Sequence, residues 1–228
     1  MFRNHFVSAE QKPHIIHIVA DDVGFNDMGF TNTEIISPHI DELRQSGIAL
    51  TRLYTSKDCA PSRGSLMTGR YPFHFGYYRN PSDEGGVMLE YTMLPAVLRE
   101  NGYRTHAVGK WHLGFKNESY TPTFRGFETF VGYYHWGEEY GDHVFPPYYK
   151  GEQPCRGYDL NNNTGFELRP IGGPPYSSSP LFYSTELYAG EARRIIRAHA
   201  AAAAAATSSS TSPAVVVVVV VAAAAAVT

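Results

Sequence analysis

The chain has 228 residues, 43% hydrophobic and 14% aromatic, enough for one globular domain with a sizeable core and unlike a disordered or fibrous polypeptide. Its 19 basic and 22 acidic residues leave a net charge of −3, and no basic run marks a nucleic-acid binder. Two cysteines, Cys59 and Cys155, are too few for a disulfide framework.

Residues 1–12 read as an N-terminal extension. No apolar signal-peptide core is visible there. His14 to Ala20 is a near-continuous, β-branched apolar run and predicts a buried parallel strand. It ends in Asp21-Asp22. Two adjacent carboxylates closing such a strand need neutralising, and a hard divalent cation would do it. A solvated turn is the alternative that these residues leave open. Ser37 to Gly47 carries helix punctuation: a capping Ser37, Pro38 at the first position, acids in the first turn and Gly47 as the stop. Ile48 to Tyr54 reads as the next strand.

Cys59-Ala60-Pro61-Ser62-Arg63-Gly64-Ser65-Leu66-Met67-Thr68-Gly69-Arg70 follows, a small polar turn entering an apolar helical pattern. Pro61 fits a first helical turn. Cys59 would sit at a helix N-terminus, where unpaired N–H groups favour an anion. Arg63 adds a planar fork suited to sulfate or phosphate. A lone cysteine of this kind is also compatible with inert core.

Thr92 to Glu100 predicts a short helix and Arg104 to Val108 a third strand. That strand ends in Gly109-Lys110-Trp111-His112-Leu113-Gly114, where Lys110 and His112 offer a fixed cation and a proton-transfer group. A surface lysine beside a packed histidine is the plain alternative. Phe127, Phe130, Tyr133 and Tyr134 are expected to be core. Residues 135–180 read as a long surface excursion carrying surface histidines His135 and His143. Ser184 to Ala198 predicts an amphipathic helix.

From Ala200 onwards the chain is Ala-, Ser- and Val-rich without amphipathic period. It is expected to be a disordered or artefactual tail over 200–228. The 14 residues from Ala214 to Val227 fall short of the roughly 18–20 that span a bilayer.

The Cys59–Arg70 run resembles the C-x-P-S-R-x-x-L-x-x-G-R signature of the type I sulfatases at every fixed position. Gly109–Gly114 resembles the family's G-K-W-H-L-G motif at all six. The wording of Ala20–Gly29 and Thr68–Gly76 looks closest to the arylsulfatase B (N-acetylgalactosamine-4-sulfatase) branch. The resemblance runs over 13–199 and covers the N-terminal part of a family member. It implies an α/β fold with an alkaline-phosphatase-like, mostly parallel sheet flanked by helices, here truncated.

By the same resemblance Cys59 is oxidised to formylglycine by a formylglycine-generating enzyme. The hydrate of that aldehyde attacks a sulfate ester of a small molecule or glycan. Asp21 and Asp22, with an oxygen at position 59, would ligate one Ca2+, with Mg2+ as the other option. Arg63 would hold the hydrate, Lys110 would bind sulfate, and His112 would orient the hydrate or assist sulfate release. Family members are lysosomal or secreted, and Asn117 and Asn162 begin glycosylation sequons. Two rival readings are a truncated, catalytically incompetent fragment and a related metal-dependent phosphohydrolase.

Overall fold

Five strands form one sheet in the order β1 (Ile15–Asp21), β5 (Val215–Ala222), β2 (Arg104–Lys110), β3 (Thr129–Tyr133), β4 (Asn161–Thr164). β1, β5, β2 and β3 run parallel, and β4 lies antiparallel to β3 at the far edge. The computed structural model describes residues 12–76, 86–141, 143–144, 159–164, 183–205 and 214–222. Cys155 and Gly85 lie outside the described residues.

Alternation along the central strands builds a core on each face, as a period of two requires. Ala107 and Phe130 join Trp111, Phe127, Met67 and Met93 on the face covered by α2 (Cys59–Thr68) and α3 (Leu94–Glu100). Val108 and Tyr133 join Leu160, Tyr188, Ala192 and Ile195 on the face covered by α4 (Ser184–Ala205). Burying each large apolar side chain stabilises the fold by about 1.5–3 kcal/mol. The aromatic expectation holds for Phe127, Phe130 and Tyr133, which are fully buried, while Tyr134 is half-buried and packs against the core from its edge. Between β2 and β3, Gly109 faces Gly132, and a Cβ on Gly132 would stand 1.9 Å from the Gly109 carbonyl oxygen.

The tail behaves differently from the sequence expectation. α4 runs unbroken across residue 200 to Ala205, and the valine run is β5, paired with both β1 and β2. Alanine is the best helix former. A parallel strand covered on both sides reads as continuous β-branched residues, so a missing period does not mark disorder. Residues 206–213 and 223–228 lie outside the described residues.

Three further expectations change. β1 is parallel but lies at a sheet edge, and Ile16 and Ile18 are more than half exposed. Ile48 to Tyr54 forms no strand: among the described residues no strand pairs with its backbone, and Ile48 and Tyr54 are exposed. His143 is fully buried and His135 half-buried. His135 is held by Asp159, next to β4, rather than lying free on the surface, while residues 142, 145–158 and 165–180 of the expected excursion lie outside the described residues. α1 (Pro38–Ser46) has the expected Pro38 start, but the Ser37 hydroxyl donates to Asp41 Oδ1 instead of capping a backbone N–H of the helix.

Candidate active site

Parallel strands bring their C-terminal ends to one edge, and ligands of open α/β sheets bind there. Asp21 ends β1 and Lys110 ends β2, with β5 between them. Two strand spacings are roughly 10 Å, a gap that the lysine and aspartate side chains close together. Lys110 Nζ donates to Asp21 Oδ2 at 2.8 Å, and its side chain is 3% exposed against 15% for the carboxylate. Asp22 follows on the exposed rim with φ 55°.

α2 begins at Cys59, with Asp58 in the N-cap position. The Ser62 hydroxyl donates to the carbonyl oxygens of Asp58 at 2.8 Å and Ser56 at 2.9 Å, so the turn before the cysteine is tied to the helix. At the other end, Gly69 closes the helix in the left-handed region, with its N–H donating to Ser65 O. Arg63 is buried. Its Nε donates to Trp111 O at 2.7 Å and its Nη2 to Lys110 O, clamping α2 onto the end of β2.

That clamp fixes the turn that carries His112. The His112 N–H donates to Tyr134 O at 3.1 Å, and its backbone holds φ 52°. A non-glycine residue there costs on the order of 1–3 kcal/mol and persists only where its surroundings impose it. Its ring Nδ1 lies 3.3 Å from Cys59 Sγ. Burial first, then Lys110, Arg63 and His135, lower the His112 pKa to about 3, so the imidazole is neutral at any physiological pH.

Asp21, Asp22, Cys59 and Arg63 line one cleft of about 210 Å3, together with Ser56, Lys57 and Asp58. Lys110 and His112 reach it through Asp21 and Cys59. All six residues singled out in the sequence as catalytic or metal-ligating therefore converge. Asn117 and Asn162 do not line this cleft and are both exposed; Asn117 Oδ1 accepts the Ser119 N–H, and Asn162 sits on β4.

Sequence reasoning missed the support of this site. Asp159 accepts from the N–H groups of Tyr134 and His135 and from His135 Nδ1 at 2.7 Å, holding the segment beside His112. Glu138, whose side chain is 2% exposed, accepts from Ser184 at 2.9 Å and from Tyr188, tying the same segment to α4. Lone acids in a Gly- and Tyr-rich stretch carry no spacing that would reveal this.

Among the described residues no group of three or more His, Cys, Asp or Glu side chains is placed to hold a metal, and no helix is long and apolar enough to cross a membrane.

Comparisons with known proteins agree on one family. Residues 13–219 match the family model described as Sulfatase. Arylsulfatase J of Mus musculus is 37% identical over 195 residues, covering 82% of this chain and 30% of that protein. Arylsulfatase A of Homo sapiens is 34% identical over 205 residues, covering 82% and 40%. The chain thus spans about a third of the length of the curated relatives it matches. The crystal structure of Ps i-CgsB superposes with a TM-score of 0.73 at 31% identity, over 96% of this chain and 46% of that one. Ps i-CgsB has also been solved in complex with k-i-k-neocarrahexaose. The fold is the alkaline-phosphatase-like α/β fold with a mixed, mostly parallel sheet, truncated relative to those chains. From its two motifs, its sheet and these likenesses, the chain belongs to the sulfatase family.

Proposed function

We propose that this chain carries a sulfuric ester hydrolase site whose reacting position is Cys59 and whose substrate is a sulfated small molecule or glycan. The observation that carries this is the single cleft lined by Asp21, Asp22, Cys59 and Arg63, with His112 against the sulfur and Lys110 at its edge.

Two carboxylates offer oxygen donors only, which suits Ca2+ or Mg2+ rather than a thiophilic metal. Calcium takes about 6–8 oxygens, so Asp21 and Asp22 supply part of a shell, with position 59 and solvent for the rest. Lys110 already shares Asp21 Oδ2. The fit is therefore that of a loosely held hard cation. Such an ion, when bound, would draw charge from the sulfate oxygens. Formylglycine at position 59, made by a formylglycine-generating enzyme, would supply the attacking oxygen.

The chain's own side chains have distinct parts in this reading. Lys110 is a buried ammonium two strands from β1 and close to where a sulfate would sit, balanced by Asp21 until an anion arrives. Arg63 holds the Lys110 and Trp111 carbonyls, keeping α2 and the end of β2 in register, and adds positive charge at the cleft wall. Neutral His112 orients the group at position 59 through Nδ1 and can accept its proton as sulfate leaves. Lysosomal or secretory processing belongs to the same reading, and exposed Asn117 and Asn162 are its glycan acceptors.

The deciding experiment pairs peptide mass spectrometry of the Cys59 peptide with hydrolysis of an aryl sulfate and an aryl phosphate. Aldehyde at position 59 with sulfate preferred supports the proposal. An unmodified thiol without turnover, after expression with the converting enzyme, would show a non-catalytic fragment. Preference for phosphate would indicate a phosphohydrolase.

A further inference from the structure

The two edges of the sheet are unlike. β4, on one side, is four residues long and reads Asn161-Asn162-Asn163-Thr164, a short polar segment with little tendency to pair with another chain. β1, on the other, runs for seven residues as Ile15-Ile16-His17-Ile18-Val19-Ala20-Asp21. It carries no proline or lysine, the residues by which natural edge strands discourage pairing. Among the described residues its strand partner is β5 alone, so its other edge presents a row of backbone N–H and C=O groups outside any ladder. Ile16 and Ile18, neighbours on one face, are 52% and 58% exposed.

The charges on this strand select what can pair with it. Asp21 and Asp22 stand together at its C-terminal end, and His14 precedes its N-terminal end. A parallel copy in register would set carboxylate against carboxylate, which is destabilising. An antiparallel copy sets the acidic end of each strand beside the histidine end of the other and holds the two acidic ends roughly 20 Å apart. The register that uses all of both strands puts Ile18 opposite its own copy, Ile16 opposite Ala20 and Ile15 opposite Asp21. His14 then stands beside Asp22. His14 Nδ1 accepts the Val215 N–H at 3.2 Å, so in the neutral ring Nε2 carries the proton and can donate to that carboxylate. Asp22 is exposed, and Asp21 keeps its bond to Lys110.

We propose that β1 pairs antiparallel with the β1 of a second copy of this chain, about a two-fold axis at Ile18, joining the two five-stranded sheets into one. The pairing is isologous, so it closes at two copies and leaves no β1 edge for a third. Main-chain hydrogen bonds supply the attraction, as in strand addition generally. The Ile18 pair and the flanking Ile16–Ala20 pairs cover apolar surface that the single chain leaves in water. The acidic ends of the two strands lie at opposite ends of the interface, so the dimer keeps two separate clefts. It forms whatever chemistry Cys59 performs.

The test is sedimentation of the full chain over a wide concentration series. Wild type should shift from monomer to dimer. Ile18→Lys sets two ammonium groups face to face and should raise the dimer dissociation constant by about 10-fold or more. Ile18→Thr keeps a β-branched side chain and should still dimerise. Ile18 is mostly exposed, so both variants keep the fold, which circular dichroism checks. Register is read by oxidation. In Ile18→Cys the two copies of the residue have Cα atoms about 4.5–5.5 Å apart, within disulfide reach. Peptide mass spectrometry should find that link, distinct from any through Cys59 or Cys155. In Ile16→Cys the two copies are roughly 13 Å apart and should not link. A chain that stays monomeric at every concentration overturns the proposal, whether its edge is bare or filled by another segment of the same chain. So does a dimer that Ile18→Lys leaves unweakened, or one that links through position 16 and not through position 18.

Discussion

Lys110 and Asp21 form an ion pair that spans the sheet from the end of β2 to the end of β1, over the end of β5, at 2.8 Å. Both partners are largely withdrawn from solvent, so removing one leaves the other charge uncompensated. Asp21→Ala and Lys110→Ala should each destabilise the fold by about 3–5 kcal/mol, less as solvent relaxes around the survivor. The double variant should recover part of that loss. A double-mutant cycle on denaturant midpoints gives the coupling; additive losses would show that the pair is not coupled.

Added calcium should raise the melting temperature of the wild type by mass action. Asp22→Ala should abolish that shift while leaving the metal-free melting temperature nearly unchanged, because Asp22 is exposed. Equal calcium shifts in wild type and variant would place the ion elsewhere.

His112 carries a pKa lowered to about 3 by burial and by the cations around it. Its imidazole therefore stays neutral as pH falls from 7 to about 4, and the acid limb of aryl-sulfate turnover in that range should not belong to it. His112→Gln should lower kcat by about 10²- to 10⁴-fold, the range for one proton-transfer group, and leave the position of that limb unchanged. A limb that shifts in the variant would contradict the assignment.

His106, on β2, hydrogen-bonds Thr129 Oγ1 at 2.7 Å and His199 Nε2 at 2.9 Å. Burial first, then His199, Arg104 and Arg194, lower its pKa from 6.5 to about 4. The folded chain thus binds fewer protons than the unfolded one between those values. Stability should be full above about pH 6.5 and fall as pH drops towards 4. His106→Gln should flatten that fall in a melting-temperature series.

Gly132→Ala should abolish soluble expression or lower the melting temperature severely, since its Cβ would overlap the Gly109 carbonyl oxygen. Gly190 sits in α4, and a Cβ added there would meet nothing within 4 Å, so Gly190→Ala should stabilise by up to about 1 kcal/mol. Thermal melts of the two variants test both signs.

Much of the site was legible because its residues lie in two contiguous motifs and at the end of the first predicted strand. Asp21 and Lys110 needed only parallel strands to bring them together, whereas Cys59 is carried to His112 by the Arg63 clamp of α2 on the end of β2. Two kinds of feature were not legible. Asp159 and Glu138 act through contacts between distant segments, and nothing in their local spacing signals a partner. The valine run was misread for the opposite reason: uniform composition looks alike in a spacer and in a strand enclosed by two neighbours. Ile48–Tyr54 shows that strand-like residues without an adjacent strand stay irregular.

The position of β5 has a consequence for how the molecule is made. Ile15 lies opposite Val216, so the first strand meets its neighbour only across most of the described sequence. Contacts of such sequence separation slow folding. Among the described strands β5 alone pairs with β1 and joins it to β2, so until β5 emerges from the ribosome the ends of β1 and β2 that carry positions 21 and 110 lack the strand between them. Assembly of the reaction centre thereby waits for the synthesis of the valine strand.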